Sequence, residues 1–291
     1  MVKLELEKHQ YFDDARLEYE SVSRVISKFK SDPFDAHKMS SYKAIKDVFQ
    51  QSGIWEQLYN ASGRDWTKVV NTFRDKRRQG VYNNNPFLIK AVLERKQYWL
   101  DQWKDATAEG TAFHDDMEND ANNARVIRST IKDSNVHSGK VLNVTSGRDS
   151  DIIHAPLEFN GIFTEAVIYN KKYFPLAGTI DRIEKHGINV YLYDYKTNKK
   201  LNKTSFNMRH MRMPVHELLD CNFSHYTLQL CIYAWMLEQV GYKICGLVIE
   251  HIIRDKKGRL TDQFKPYVIE YRPDLVEKIL RAYGKKYYKK K

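Results

Sequence analysis

Gly178-Thr179-Ile180-Asp181, followed by Asp194-Tyr195-Lys196-Thr197, decides how this 291-residue chain is read. The stretch sets two carboxylates thirteen positions apart, with a lysine two beyond the second. Residues 173–184 and 188–196 are rich in Val, Ile, Leu and Tyr and read as strands. Between them, Glu184-Lys185-His186-Gly187 reads as a hairpin turn with Gly187 at positive φ. Side chains alternate faces along a strand. Ile188, Val190 and Leu192 therefore share a face with Asp194 and Lys196, and Asp181 is in phase with Ala177, Thr179 and Ile183. Charges in phase with apolar residues are buried, which is costly unless they are paired or bound to metal. Two acids meeting across a hairpin ladder repel unless a cation lies between them, and Mg²⁺ or Mn²⁺ suits oxygen ligands. A bound cation polarises a phosphoryl oxygen and acidifies water. Lys196 can orient that water or stabilise charge developing on phosphorus. The Tyr195 carbonyl is a further candidate ligand.

Three flanking segments agree. Residues 162–169 read as another strand, in which Glu165 is in phase with Phe163 and Val167; it is either a further metal ligand or an anchor for a basic residue. Residues 226–241 read as an amphipathic helix with Gln229, Tyr233, Met236 and Val240 on one stripe. Gly110-Thr111-Ala112-Phe113-His114 opens a further helix, with Phe113, Met117 and Ala121 as its buried stripe. His114 and Glu118 lie one turn apart on a shared face.

In chain order these elements are G-T-x-x-H, T-E, G-T-I-D, D-Y-K-T and Q-x-x-x-Y. The set continues through Met213-Pro214-Val215-His216-Glu217-Leu218 and Tyr226-Thr227-Leu228-Gln229, and begins near Ser21-Val22-Ser23-Arg24. Over roughly residues 10 to 255 it resembles the RecB-type branch of the PD-(D/E)XK nuclease superfamily, and is similar to phage exonucleases and mitochondrial genome-maintenance exonucleases. The resemblance implies an α/β fold with a restriction-endonuclease-like core, a central mixed sheet flanked by helices, behind a largely helical N-terminal region. It implies that His114, Asp181 and Asp194, with the Tyr195 carbonyl, hold Mg²⁺ or Mn²⁺, and that Lys196 is the catalytic lysine. Gln229 and Tyr233 would position the substrate phosphate or support the lysine. Ile180 stands where the superfamily name has proline, and Ser23 where the related element usually has Thr.

Composition adds bounds. There are 48 Lys and Arg against 37 Asp and Glu, a formal net charge of +11, which favours a polyanionic partner. The 19 tyrosines and 5 tryptophans supply rings that can stack on unpaired bases, although most belong to the core. Cys221, Cys231 and Cys245 form no C-x-x-C pair, which argues against an iron–sulfur cluster and for a reducing compartment. No phosphate-loop or zinc-finger spacing occurs, so no ATP motor is evident. No apolar run approaches a membrane span, and Met1-Val2-Lys3-Leu4-Glu5 has no secretory character.

These features organise the chain into a helical region over 1–124 that contributes His114, a loop-rich connection over 125–160, a nuclease core over 161–282 and a basic tail over 283–291. Within 11–30 a short extended piece precedes a helix capped by Ser21 or Ser23. Residues 198–223 form a long basic connection. The expected nucleic-acid contacts are Ser21, Ser23, Thr197, Lys199, Lys200, Arg209 and Arg212.

The expectation is a divalent-metal-dependent deoxyribonuclease, an exonuclease working from ends on single-stranded DNA in replication, recombination or repair. Its setting would be the cytoplasm of a bacterium or phage-infected host, with a helicase or recombinase as partner and no membrane. The alternatives are a structure-specific endonuclease and a non-cutting nucleic-acid-binding accessory protein.

Overall fold

The computed structural model of the chain describes residues 2–5, 10–31, 35–51, 53, 55–122, 143–146, 160–205 and 208–289. The chain divides into two compact units, Met1–Ser31 with Phe113–Lys291, and Asp32–Ala112. This differs from the sequence-based grouping of residues 1–124, because the first 31 residues fold with the sheet. Most of the expected loop-rich connection, 125–160, lies outside the described residues.

The smaller unit holds α2 (Ala36–Gln51), α3 (Trp55–Ala61), α4 (Trp66–Arg78) and the first part of α5 (Pro86–Asn122). Asp65 caps α4 by accepting from the Thr67 and Lys68 N–H groups, and Pro86 opens α5 where a missing N–H costs nothing. Ala44, Ile45, Phe49, Trp55, Leu58, Val69, Val70, Phe73 and Val92 form its core. Leu93, next to buried Val92, is 49% exposed. Gly110 does not open a helix. It lies inside α5, where the helix runs through it at a cost of about 1 kcal/mol relative to alanine.

The larger unit is built on a nine-stranded mixed sheet, with strands β1 (Val2–Glu5), β2 (Gln10–Asp13), β3 (Glu18–Ser21), β4 (Asn143–Ser146), β5 (Gly161–Asn170), β6 (Leu176–His186), β7 (Asn189–Lys196), β8 (Lys243–Arg254) and β9 (Leu260–Ile269). Strand β6 is its pivot. Along one edge it pairs antiparallel with β5 from Leu176 to Lys185. On the other edge β7 takes Arg182–His186, while β3 runs parallel to Leu176 and Ala177. Between them, among the described residues, no strand pairs with 178–181 on this edge. The sheet forks there, and the fork contains Gly178-Thr179-Ile180-Asp181.

Strand β7 returns to its parallel neighbour β8 through α6 (Asn222–Glu238), as a parallel crossover requires. Every residue of α6 from Leu230 to Leu237 is buried, so the helix is enclosed on all sides and shows no clean stripe. It packs with Val22, Val25 and Ile26 of α1 (Val22–Ser27), with α7 (Pro273–Lys289) and with sheet residues such as Leu192, Leu247 and Ile249.

The hairpin turn carries Gly187 at φ 63°. Ile188 lies in that turn, 64% exposed, and not on the core face; Val240 lies beyond α6, 39% exposed, and not on the Gln229 stripe. Residues 283–289 are the last turns of α7, not a separate arm, and Tyr287 packs against the core. No helix among the described residues is long and apolar enough to cross a membrane.

Candidate active site

At the fork the alternation of β6 slips. Leu176, Ile180 and Ile183 all belong to the core shared with α6, whereas Ala177 belongs with Tyr11 and Tyr169 on the opposite face. In an unbroken strand, residues 180 and 183 would face opposite ways. Strand β5 slips at the same level: Phe163, Ala166 and Ile168 all join the core shared with α6. The register is continuous around the slip, Thr164 opposite Arg182 and Ala166 opposite Ile180, so Glu165 stands level with Asp181. Glu165 has φ 48°, a left-handed conformation unusual for a residue with a side chain. Asp181 thus shares phase with Ala177 and Thr179 as expected, but not with Ile183.

Asp181 also ends the β6–β7 ladder. The last backbone pair is Arg182 with Tyr193. One step on, the Tyr195 N–H donates to Asp181 Oδ2 at 2.6 Å. Asp194, next to Tyr195, is 2% exposed, and Lys196 Nζ lies 2.7 Å from its Oδ2. Burial raises the Asp194 carboxyl to about 6 despite Lys196, with Asp181 adding to the rise. Burial raises Asp181 too; His114 and Lys196 oppose the shift and Glu165 reinforces it. Lys196 is raised: burial works against its charge, but Asp194 and Asp181 outweigh it.

His114, near the C-terminal end of α5, completes a cluster. Its Nδ1 lies 3.6 Å from both Glu165 Oε1 and Asp181 Oδ1. Burial pulls its imidazolium down, but the charge on Asp181 and the bond to Glu165 prevail and raise it to about 9. One ligand atom from each of His114, Glu165 and Asp181 falls within 4.8 Å of the others. An imidazole nitrogen and two carboxylate oxygens at that spacing fit a divalent cation, which would take the place of the imidazolium proton. Asp194 is tied to Lys196 beside this trio. Buried Asp194 Oδ2 lacks a well-directed hydrogen bond despite the short distance to Lys196, which also suits a carboxylate shaped for a cation. Phe113 packs edge-on to Tyr195. The side chains of Glu118 and Ala121 lie outside the described set.

Gln229 Nε2 donates to the Tyr233 hydroxyl at 3.1 Å. Tyr233 reaches this position because residue 178 is glycine: a Cβ there would lie 2.5 Å from the Tyr233 ring. Ser21 is the α1 cap, accepting from the Arg24 N–H, and Ser23 lies 3.2 Å from the Ser21 hydroxyl. The Thr197 carbonyl accepts from Arg254. Lys199, Lys200 and Arg209 are exposed. Arg212 is also exposed, but its guanidinium donates to the Ser31 carbonyl, which the sequence did not indicate.

Several neighbours were missed. Tyr11 on β2 shares a 3.0 Å hydrogen bond with Thr179. Burial raises its phenol, with the Thr179 bond opposing and the charges of Glu165 and Asp181 adding to the rise. The Tyr226 ring lies 4.8 Å from Lys196 Nζ, and its hydroxyl donates to Asn198. On the far side of the sheet, Arg182 donates to Tyr195 Oη at 3.0 Å and to Glu250 at 3.2 Å. It also lies 3.5 Å from Glu184 and stacks 3.7 Å over Tyr193. The phase argument that found Asp181 applies equally to Arg182, Glu184 and Glu250, all charged residues in strands; for Tyr11 no comparable signal exists.

A family model of the PD-(D/E)XK nuclease superfamily matches residues 89–281, from near the start of α5 into the middle of α7. No curated protein and no solved structure matches the chain.

Proposed function

The chain belongs to the PD-(D/E)XK nuclease superfamily and is a metal-dependent nuclease acting on nucleic acid; within that class, we propose that it is a deoxyribonuclease of the RecB-type branch that degrades single-stranded DNA from a free end. The observation that carries the chemistry is the fork: His114, Glu165 and Asp181 converge within 4.8 Å, beside an Asp194 held 2.7 Å from Lys196. In this reading His114, Asp181 and Asp194, with the Tyr195 carbonyl and Glu165, hold Mg²⁺ or Mn²⁺. The cation supplies Lewis acidity toward a phosphoryl oxygen and a more acidic water.

The protein's own groups do the remaining work. Lys196, half-buried and charged, orients the attacking water and stabilises charge developing on phosphorus. Gln229 and Tyr233 present neutral donors that position the phosphate. Lys199, Lys200 and Arg209, on the exposed connection after β7, guide the strand electrostatically. Water adds to phosphorus, the phosphorus–oxygen bond to the leaving nucleotide breaks, and the leaving oxygen takes up a proton. Action from ends, and a role in replication, recombination or repair, rest on the resemblance of the five ordered motifs to RecB-type and phage exonucleases.

The test is cleavage of 5′- and 3′-labelled linear single strands, a closed circle and matched RNA, with and without Mg²⁺ or Mn²⁺, beside Asp194→Asn. Metal-dependent loss of linear DNA with a spared circle and an inactive variant is the expected result. Full activity on the circle would make the protein an endonuclease, and binding without cutting under any metal would make it an accessory protein.

A further inference from the structure

Strand β2 carries none of the motifs that mark the catalytic core, yet it delivers a hydroxyl group to the fork. The N-terminal hairpin reaches the sheet through β3, which pairs with Leu176 and Ala177, just before the unpaired stretch of β6. Tyr11 is 7% exposed, held among Val2, Tyr19, Tyr169 and Ala177. Its Oη lies 3.0 Å from Thr179 Oγ1. Thr179 is only partly buried. It precedes Asp181 by two positions on the same face, and across the ladder it stands opposite Val167, two positions beyond Glu165.

Among the described residues, neither hydroxyl has a second hydrogen-bond partner. Two hydroxyls carry two hydrogens, and their mutual bond uses one. Tyr11 is enclosed, so the arrangement that wastes nothing has Tyr11 donating to Thr179, with the Thr179 hydrogen left for an acceptor at the fork. A neutral donor beside two or three acids cannot replace a cation, but it suits an anionic oxygen that arrives with one. The acceptor that a nucleic acid brings to such a site is a non-bridging phosphate oxygen.

We propose that Thr179 is a substrate contact, donating to a non-bridging phosphate oxygen of the bound strand, and that Tyr11 is the positioning residue that aims it. This rests on the nuclease reading above. The N-terminal hairpin is then part of the active site, not a decoration of the sheet edge.

The test uses the full chain with Thr179→Val, Thr179→Ser, Tyr11→Phe and the Tyr11→Phe/Thr179→Val pair. Each is measured for unfolding, for Mn²⁺ affinity without DNA, for kcat and KM on a linear single strand, and for oligonucleotide affinity in a Lys196→Ala background. Thr179→Val should lower kcat/KM roughly tenfold or more, the scale of one hydrogen bond to a charged acceptor. Thr179→Ser should restore it. Tyr11→Phe should lower it less, and the pair should be no worse than Thr179→Val alone, because Tyr11 acts through Thr179. Mn²⁺ affinity should stay within about twofold.

Unchanged kcat/KM and oligonucleotide affinity in a folded Thr179→Val would overturn the proposal. So would a matching loss of Mn²⁺ affinity, which would make the hydroxyl pair a support for the carboxylates. If the wild type cuts nothing under any metal, the nuclease reading fails separately. Oligonucleotide affinity then decides: a loss in Thr179→Val sustains the phosphate contact and an unchanged affinity removes it.

Discussion

The Tyr195 N–H donates to Asp181 Oδ2 at 2.6 Å, one step past the last backbone pair between Arg182 and Tyr193. A carboxylate has taken the place of the main-chain carbonyl that would have continued the ladder. The strands part, yet the N–H at the parting is satisfied, as a buried backbone donor must be. The same carboxylate faces Glu165 and His114 through its other oxygen. Arg182 donates to the Tyr195 hydroxyl at 3.0 Å and so steadies the residue whose N–H the carboxylate holds.

Replacing Asp181 by Asn or by Ala separates its two tasks. Asn keeps an oxygen that can accept from Tyr195; Ala does not. Asp181→Asn should unfold in EDTA at or above the wild-type denaturant midpoint, since a half-buried charge beside Glu165 is gone. Asp181→Ala should be less stable than Asp181→Asn by about 1–3 kcal/mol, the cost of a buried unsatisfied donor. Both should lose metal binding. Equal stability of the two variants would show that the Tyr195 contact contributes nothing to the fork.

Removing the Lys196 ammonium should abolish cutting and spare binding. We expect Lys196→Ala to reduce the single-turnover rate by about 10²–10³ or more, the loss typical of a preorganised electrostatic group. Affinity for single-stranded DNA should change little by comparison. Asp194 then loses the cation 2.7 Å away, so its carboxyl should titrate above the present value of about 6. Rapid-quench kinetics with a parallel binding titration checks both. A rate within tenfold of wild type would remove Lys196 from the chemistry.

The pH dependence of metal binding follows from His114. Its folded value is about 9, so at pH 7 the metal-free protein carries an imidazolium there. A ligating imidazole is neutral, so binding must expel that proton. Mn²⁺ affinity should therefore climb as pH rises from 6 toward 9, and fall more steeply below about 6, where Asp194 takes up a proton. Stability of the metal-free protein has the opposite trend. The raised His114 value contributes stability fully below its ordinary 6.5, and that contribution is lost as pH rises through about 9. Calorimetry in two buffers of different ionisation enthalpy measures the released proton. No proton release at pH 7 would exclude His114 as a ligand.

Much of this site was legible because strand alternation is a strong signal. Asp181, Asp194 and Lys196 stood out as charges within apolar runs, and Gly187 marked the turn between them. The same rule misled where the chain departs from regularity. It placed Ile183 with Asp181 because a slip of phase leaves no mark in composition, and Ile188 in the core because an apolar residue at a turn looks like the start of a strand. The N-terminal hairpin was illegible for another reason: its strands are four residues long and mixed in character, VKLE, QYFD and EYES, too short for any period to emerge. Their place is set by tertiary pairing with β6, so Tyr11 could not be connected to Thr179 beforehand.

Gly178 makes a prediction independent of metal. An alanine Cβ there would lie 2.5 Å from Cε1 and 3.0 Å from the hydroxyl of Tyr233, whose ring is enclosed by α6 and the sheet. Neither side can retreat cheaply. Gly178→Ala should lose about 1–3 kcal/mol of stability by overpacking and should disturb Gln229, which bonds the same hydroxyl. Tyr233→Phe keeps the offending ring atom and should not rescue Gly178→Ala, whereas Tyr233→Leu should recover part of the stability. Chemical denaturation of Gly178→Ala alone and combined with each Tyr233 substitution checks this. Rescue by Tyr233→Phe would place the clash at the hydroxyl alone.

Glu165 sets stability against function at one position. With φ 48° it holds a conformation that costs a residue with a side chain about 1–2 kcal/mol and costs glycine little. Its carboxylate also stands level with Asp181 and 3.6 Å from His114 Nδ1. Glu165→Gly relieves the backbone and removes a charge from beside Asp181. Offsetting this, glycine gains more freedom in the unfolded chain. The metal-free Glu165→Gly protein should therefore be about as stable as wild type or up to about 1 kcal/mol more stable, while Mn²⁺ binds more weakly. Glu165→Gln, which keeps the strained backbone, should lose the same metal affinity without the backbone gain. If Glu165→Gly instead binds Mn²⁺ as tightly as wild type, the carboxylate is an anchor for His114 and not a ligand, and His114→Ala should then weaken binding by the same factor in both backgrounds.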